Sequence, residues 1–195
     1  VDFGTFPFVT SSSTISAGVC SGLGIAPQHI KEVIGITKAY CTRVGSGPFP
    51  TELLDETGEW IRQAGHEFGS TTGRPRRCGW IDGVALRFAC MINGVTQLVM
   101  TKADILDGLD ALNVCHQYEI NGEAQDYVPF QMNRVAIKPV YQTFPGWKTN
   151  ITDIKDFASM PDKMKDYIQY LNQYLGVPVR YISNGPGREQ IVRAD

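Results

Sequence analysis

The chain has little net charge and no broad excess of one sign. Its 195 residues include 18 Lys and Arg against 20 Asp and Glu, which gives a formal net charge of −2. Nucleic-acid-binding domains and proteins of anionic membrane surfaces usually carry a wide basic surface. The composition therefore argues against both kinds of partner, and positive charge must act locally.

The cysteine pattern lacks a metal site or a disulfide framework. The five cysteines are odd in number and widely spaced, without a Cys-x-x-Cys pair or a His-Cys cluster of ligand spacing. The sequence also lacks a basic start followed by an apolar leader, and no run approaches membrane-spanning length. These absences favour a reducing compartment, and we expect a cytoplasmic protein without a membrane partner.

No internal repeat, low-complexity tract or linker divides the chain, so we expect residues 1–195 to form a single domain segment. The first residue is Val rather than Met, and residues 4–10 resemble the interior of a folded domain. This start predicts that the chain is a piece of a longer protein.

Positive charge is concentrated in one loop, residues 69–80. Glycines let a backbone approach a ligand closely, while hydroxyl and guanidinium groups donate directed hydrogen bonds to carboxylate or phosphate oxygens. An Arg-x-Arg-Arg run is often only a solvated turn, but Pro75 stiffens this one, and we interpret it as an anion site. Its donors are Ser70, Thr71, Thr72, Arg74, Arg76 and Arg77, and its glycines are Gly69, Gly73 and Gly79.

Helical periodicity and capping residues predict four helices, at residues 27–40, 52–63, 82–92 and 160–175. Pro27 opens the first, acidic residues give the second a solvated face, and Asp82 caps the third. The glycine-rich run at residues 18–24 fits no dinucleotide-binding fingerprint, and we interpret it as a flexible loop without a ligand.

Short apolar runs predict strands at residues 6–10, 96–100, 113–120, 135–143 and 177–182, with Asn121 and Gly122 as a hairpin turn. Helices alternating with such strands are typical of an α/β fold. Ligands of α/β folds gather beyond the carboxyl ends of the strands, so the loops that leave these strands matter most.

One of those loops, Thr101-Lys102-Ala103-Asp104, resembles the guanine loop of GTP-binding proteins. Its Asp carboxylate would accept the ring N–H and the exocyclic amine of guanine, whereas adenine presents an acceptor that the carboxylate repels. An ordinary strand-to-helix turn is the alternative. Residues 183–188 form a second polar loop after a strand, which either completes a base pocket or is a simple terminal turn.

Two further features stay open on the residues alone. The rigid Gly- and Pro-rich loop at residues 42–50 is either a connector or a ligand contact. The hydroxyl cluster at residues 10–14 caps a helix or cradles a phosphate, and capping is the simpler interpretation. The three histidines, His29, His66 and His116, are assigned structural roles.

Five segments, taken together and in order, closely resemble the adenylosuccinate synthetase family: residues 4–12, 42–52, 69–80, 101–109 and 183–186. The resemblance implies an α/β fold with a mixed, mostly parallel sheet and flanking helices. It further implies the P-loop-NTPase-like GTP-binding architecture of that family, of which this chain would be the carboxyl-terminal part.

The reaction that the resemblance implies is the first committed step from IMP to AMP. GTP phosphorylates the six-oxo group of IMP, and the amine of L-aspartate displaces the phosphate to give adenylosuccinate. The family is a magnesium-dependent homodimer. IMP, GTP and L-aspartate are therefore the implied partners.

The resemblance also assigns binding roles by position. Thr10, the Val44 backbone and Arg74 would contact IMP. The guanine nucleotide would be held by Arg76, Lys102, Ala103, Asp104, Ser183, Asn184 and Gly185. The mobile aspartate loop would comprise Ser70, Thr71, Thr72, Gly73, Arg74, Pro75 and Arg76.

The chain departs from the family in lacking a glycine-rich phosphate loop with its Lys. The catalytic base, the catalytic acid and the Mg²⁺ ligands belong to the family's amino-terminal half, so none is expected here, and the chain alone should be inactive. The alternative function is a non-catalytic guanine-nucleotide or anion-binding module. A P-loop GTPase remnant is a weaker option, because no phosphate loop is present.

Overall fold

The computed structural model describes residues 13–194, and within that range it contains four α-helices and two short 3₁₀ turns. The predicted strand at residues 6–10 lies outside the described residues, as does Thr10. The 3₁₀ turns are Pro27–His29 and Ala103–Leu106, and the helices are α1 (Ala17–Leu23), α2 (Glu56–Ala64), α3 (Gly83–Asn93) and α4 (Asp162–Leu175).

Ten short strands complete the described structure. In chain order they are β1 (Ile34–Lys38), β2 (Cys41–Arg43), β3 (Arg77–Gly79), β4 (Ile81–Asp82), β5 (Gln97–Thr101), β6 (Ala111–Ile120), β7 (Glu123–Gln125), β8 (Ile137–Pro145), β9 (Val179–Ser183) and β10 (Ile191–Arg193).

The strands form three sheets in the described part of the chain. The first has the order β1-β5-β9-β10, with β1, β5 and β9 parallel and β10 antiparallel. In the second, β6 pairs with β4 in parallel and with β7 and β8 in antiparallel fashion. The third is the antiparallel pair β2-β3. The predicted α/β class with mixed sheets and flanking helices is confirmed.

Helix α3 begins and ends where its sequence predicts, and α4 ends where predicted but begins two residues later, at Asp162. The Asp82 carboxylate accepts the Ala85 N–H at 3.0 Å and caps α3, and Gly94 ends that helix in a left-handed conformation with φ 59°. Gly176 ends α4 in the same way, with φ 67°. Helix α2 begins later than predicted because Asp55 caps it, accepting the Gly58 N–H at 3.1 Å.

The helix predicted at residues 27–40 is wrong. A 3₁₀ turn follows Pro27, and residues 34–38 form β1, which pairs with β5. Apolar residues in a short run fit helical and strand spacing alike, and the β-branched Ile34, Ile36 and Thr37 favour a strand once a partner strand is available. The loop predicted at residues 18–24 is also wrong, because residues 17–23 form α1, which Gly24 ends at φ 65°.

The main core lies between the parallel strands and α4. Leu98 and Met100 of β5 and Ile182 of β9 belong to one buried cluster, together with Met164 and Ile168 of α4. On β1 the alternate side chains of Ile34 and Ile36 remain 52% and 76% exposed. Parallel strands are ordinarily covered on both faces, so this outer face is unusually open in the described chain.

The helices are short for a membrane setting. Helix α4, the longest described, has 14 residues, and no helix among residues 13–194 combines the length and apolarity needed to cross a bilayer.

Candidate functional site at the carboxyl edge of the parallel strands

The parallel register aligns the carboxyl ends of β1, β5 and β9. Lys38 lies opposite Thr101, and Met100 lies opposite Ile182. The guanine-like loop that begins at Lys102 and the polar loop that begins at Ser183 therefore leave neighbouring strands at one edge of the sheet. This edge is where open α/β sheets bind their ligands.

A buried carboxylate, Glu67, lies at this edge and is completely shielded from solvent. Its Oε1 accepts hydrogen bonds from Lys38 Nζ at 2.7 Å, from the Tyr40 hydroxyl at 2.6 Å and from Lys102 Nζ at 3.0 Å. Its Oε2 accepts a hydrogen bond from Arg76 Nη1 at 2.8 Å. One side chain thus joins the end of β1, the guanine-like loop and the arginine-rich loop. We call these five residues the Glu67 cluster.

The charges of the cluster explain its protonation state. Burial alone would raise the pKa of Glu67, but the hydrogen bonds from Lys38, Tyr40, Lys102 and Arg76 outweigh it and lower the pKa to about 2. Burial and the neighbouring carboxylate raise the pKa of Tyr40, which keeps it a neutral donor. Three cations face one carboxylate, so the cluster has a formal surplus of two positive charges. Such a surplus attracts phosphate or carboxylate ligands.

The arginine-rich loop is a tight turn whose tip faces solvent. The Gly69 N–H donates to the Arg74 carbonyl at 2.8 Å, and the Gly73 N–H donates to the Gly69 carbonyl at 2.8 Å. Gly73 has φ 65°, a conformation that side chains disfavour. Residues 70–75 are exposed, so the predicted aspartate-loop residues other than Arg76 stand in solvent.

The loop's arginines have different environments. Arg74 is exposed, and its guanidinium has no hydrogen-bond or ion-pair partner within residues 13–194. Arg76 is held by Glu67. Arg77 is bound by Glu52 through two hydrogen bonds, Nε to Oε1 at 2.7 Å and Nη2 to Oε2 at 2.5 Å. The interpretation of Arg77 as an anion-binding group is therefore wrong, because its charge is already paired.

Arg77 instead supports the Gly- and Pro-rich loop. Its Nη1 donates to the carbonyls of Gly45 and Gly47 at 3.1 and 3.0 Å. Arg43 pairs with Arg77 in the β2-β3 register, and Val44 follows directly with 68% of its surface exposed. The structure thus places the Val44 backbone beside the base of the arginine-rich loop. It also shows that Glu52 is paired rather than simply solvated.

The guanine-like loop begins in a strained conformation. Lys102 has φ 59°, which is unusual for a residue with a side chain, and its Nζ also donates to the Gly65 carbonyl at 2.5 Å. Ala103 is buried and Asp104 is half-buried in the turn that follows. Burial raises the pKa of Asp104, while its own backbone N–H and the Lys102 charge oppose the rise. A ligand that donates to Asp104 would favour the ionised form.

The loop at residues 183–185 is partly structural. The Asn184 amide is fully buried and donates to the carbonyls of Ile151 and Ile154 at 2.5 and 2.9 Å, which ties this loop to a distant segment. Its Oδ1 is buried and has no hydrogen-bond partner among the described residues. The Ser183 hydroxyl donates to the Gly185 carbonyl at 3.0 Å. Only part of this loop's hydrogen-bonding capacity therefore remains available to a ligand.

Sequence reasoning missed Lys38, Tyr40 and Glu67. Lys38 and Tyr40 follow an apolar β-branched run, and assigning that run as a strand would have placed them at the ligand-binding edge. Glu67 carried no spacing signal, because its partners come from positions 29 residues before it to 35 residues after it. Among residues 13–194, no three His, Cys, Asp or Glu side chains converge to hold a metal ion.

Comparison with known proteins identifies the family. The family model described as adenylosuccinate synthetase matches residues 1–192. The chain belongs to the adenylosuccinate synthetase family. It is 57% identical over 192 residues to the adenylosuccinate synthetase of Azobacteroides pseudotrichonymphae, and this match covers 98% of the chain and 46% of the relative. The chain thus spans about half the length of the curated relatives that it matches.

Solved structures give the same result for the fold. A fully ligated adenylosuccinate synthetase from Plasmodium falciparum is 40% identical with a TM-score of 0.94, and the match covers 100% of this chain and 47% of that one. The succinoaminodeoxyadenylate synthetase of cyanophage S-2L, at 16% identity and a TM-score of 0.57, shares the fold over 98% of this chain and 42% of its own. The likeness to the Plasmodium structure confirms that this chain has the family's P-loop-like GTP-binding fold, over the part of that fold that the chain spans.

The low pKa of Glu67 predicts acid sensitivity. A carboxyl whose folded-state pKa is lowered from 4.5 to about 2 stabilises the fold above pH 4.5, and this contribution is lost as the pH falls toward 2. The shift corresponds to about 3 kcal/mol. In urea unfolding across this range, the wild type should lose stability more steeply than Glu67→Gln. Glu56→Gln, at an exposed position, should follow the wild type, and equal slopes for all three would contradict the assignment.

Proposed function

We propose that this chain supplies the guanine- and aspartate-binding part of an enzyme that joins IMP and L-aspartate into adenylosuccinate with GTP as co-substrate. The observation that carries the proposal is the Glu67 cluster. It holds the guanine-like loop and the arginine-rich loop together at the ligand-binding edge of the parallel strands.

The guanine base would bind between two loops that follow neighbouring strands. Asp104 would accept two N–H groups of guanine, and the loop of Ser183, Asn184 and Gly185 would close the other side. Lys102 would contribute its backbone and stem, since Glu67 and the Gly65 carbonyl occupy its ammonium group.

The exposed tip of the arginine-rich loop would bind the carboxylates of L-aspartate. Ser70, Thr71 and Thr72 offer hydroxyl donors, and Arg74 offers a forked guanidinium without a protein partner in the described chain. Gly73 and Pro75 shape the turn, and Arg76 closes it near the nucleotide. Arg74 and the Val44 backbone would also reach IMP, as would Thr10. Such a loop can orient the amine of aspartate toward the activated carbon of IMP.

In the proposed reaction GTP transfers its terminal phosphoryl group to the six-oxo atom of IMP. The aspartate amine then attacks that carbon, and phosphate leaves as adenylosuccinate forms. The positive surplus of the cluster would offset charge on the phosphates. The phosphate-binding loop, the proton-transfer groups and the Mg²⁺ ligands would come from the part of the family protein that this chain does not span. We propose further that the whole enzyme is a cytoplasmic homodimer.

The test of this proposal is a turnover assay with GTP, IMP, L-aspartate and Mg²⁺. Adenylosuccinate is followed by its absorbance, first with this chain alone and then with the separately produced amino-terminal half of the family enzyme. We expect turnover only in the mixture. Activity of the chain alone would overturn the assignment of the missing groups. Guanine-nucleotide binding by the mixture without aspartate-dependent turnover would favour a non-catalytic binding module.

Replacing Asp104 tests the guanine pocket. Asp104→Asn keeps one acceptor but sets an amide donor against a guanine N–H, so the preference for GTP over ATP should fall by about 10²-fold in kcat/KM. The matched control is Asp110→Asn, at an exposed carboxylate nearby on the same chain. Unchanged discrimination in Asp104→Asn would show that the base binds elsewhere.

Replacing Arg74 tests the aspartate loop. Arg74→Leu removes a charge-assisted donor and should raise the KM for L-aspartate by about 10- to 100-fold, with a smaller change in the KM for GTP. Arg134→Leu, at another exposed arginine, serves as the control. An aspartate KM equal to that of the control would mean that the loop has another role.

A further inference from the structure

We propose that Glu67 is a positioning residue that couples binding at the guanine loop to binding at the aspartate loop. The inference rests on the proposed function and adds to it a residue that touches neither ligand. The guanine site and the aspartate site would share a coupling free energy, and the buried carboxylate of Glu67 would transmit it.

The first argument is the sharing of one rigid group. Oε1 of Glu67 accepts from Lys102, and Oε2 accepts from Arg76, at 3.0 and 2.8 Å. The carboxylate is fully buried, and Lys38 and Tyr40 hold it from the side of β1 at 2.7 and 2.6 Å. A movement of the Glu67 carboxylate toward either cation would therefore change its hydrogen bond to the other.

The second argument is backbone strain on both sides of the hydrogen bond between Glu67 and Lys102. His66, next to Glu67, has φ 50°, and Lys102 has φ 59°. Residues with side chains adopt this conformation at an energetic cost and keep it only where surrounding contacts impose it. The hydrogen bonds from Lys102 to Gly65 and Glu67 are such contacts. The conformation at the start of the guanine loop therefore depends on the segment that leads into the arginine-rich loop.

The third argument is the weak support of the aspartate loop itself. Residues 70–75 are exposed, and the loop returns to the protein at Arg76, whose backbone N–H donates to the Glu67 carbonyl at 2.9 Å. Glu67 thus fixes both the main chain and the guanidinium at this point. A nucleotide that holds Lys102 would stabilise its hydrogen bond to Glu67 and, through Glu67, the point where the loop is anchored at Arg76. The exposed tip would then have less conformational entropy to lose when aspartate binds.

The coupling is reciprocal and has a measurable sign. Guanine nucleotide should tighten aspartate binding, and aspartate should tighten nucleotide binding by the same factor. Couplings of this kind are typically about 5- to 150-fold, and we expect about 10-fold here. A neutral side chain at Glu67 attracts neither cation strongly, so the factor should fall toward one.

The experiment measures aspartate binding by titration calorimetry in the whole family enzyme, made as this chain together with the amino-terminal half. IMP is present, and GDP, which cannot donate a phosphoryl group, is either absent or saturating. The ratio of the two aspartate Kd values is the coupling factor. We expect about 10 for the wild type and nearly one for Glu67→Gln.

Two further variants separate coupling from stability. Tyr118→Phe removes a buried hydrogen bond to Asp82, outside the Glu67 cluster, so it should lower the melting temperature without changing the coupling factor. Glu67→Asp keeps the charge, which supports folding, but its shorter stem cannot reach Lys102 and Arg76 together. Its coupling factor should be low. This variant replaces Glu67→Gln in the calorimetry if Glu67→Gln does not fold.

The outcomes distinguish this inference from the proposed function. A wild-type coupling factor of one, or a wild-type factor retained in a folded Glu67 variant, overturns the coupling role while turnover with GTP, IMP and aspartate can remain intact. Loss of coupling in Tyr118→Phe as well would assign the effect to general destabilisation and would also overturn it. Absence of turnover in the wild-type mixture would instead count against the proposed function.

Discussion

The structure depends on the neutralisation of one buried negative charge. A carboxylate removed from water is costly unless it is paired and fully hydrogen-bonded, and Glu67 meets both conditions with donors from separate segments of the chain. Because those donors lie at the end of a strand and in two loops, satisfying the charge also fixes the relative positions of the loops. Stability and site geometry are therefore set by the same contacts.

The parallel strands bring these contacts to one edge. Lys38 and Thr101 end neighbouring strands, and Ser183 ends the next one, so three polar segments emerge together. The core beneath them is packed against α4, which gives the loops a rigid support. Charge pairing also supports the base of the arginine-rich loop. Glu52 neutralises Arg77, and Arg77 in turn donates hydrogen bonds to the Gly- and Pro-rich loop that carries Val44. Arg74 remains solvent-exposed.

A large part of the fold follows from local sequence. The caps of α3 and α4, the hairpin at Asn121 and Gly122 and the strand that ends at Thr101 have signals within a few residues. The errors occur where a short apolar run is ambiguous. Residues 34–38 became a strand because β5 offered its edge, and residues 17–23 formed a helix although they contain two glycines. For residues 34–38 the deciding partner strand lies far away in the chain.

The sequence by itself determined the family, the α/β class and the positions of the guanine-like and arginine-rich loops, because motifs and caps are short-range patterns. Only the tertiary structure decided how the charges are used. Arg74, Arg76 and Arg77 are nearly adjacent in sequence, yet one is exposed, one binds Glu67 and one binds Glu52. Pairing of that kind depends on distance and burial in three dimensions, for which residue spacing along the chain gives no measure.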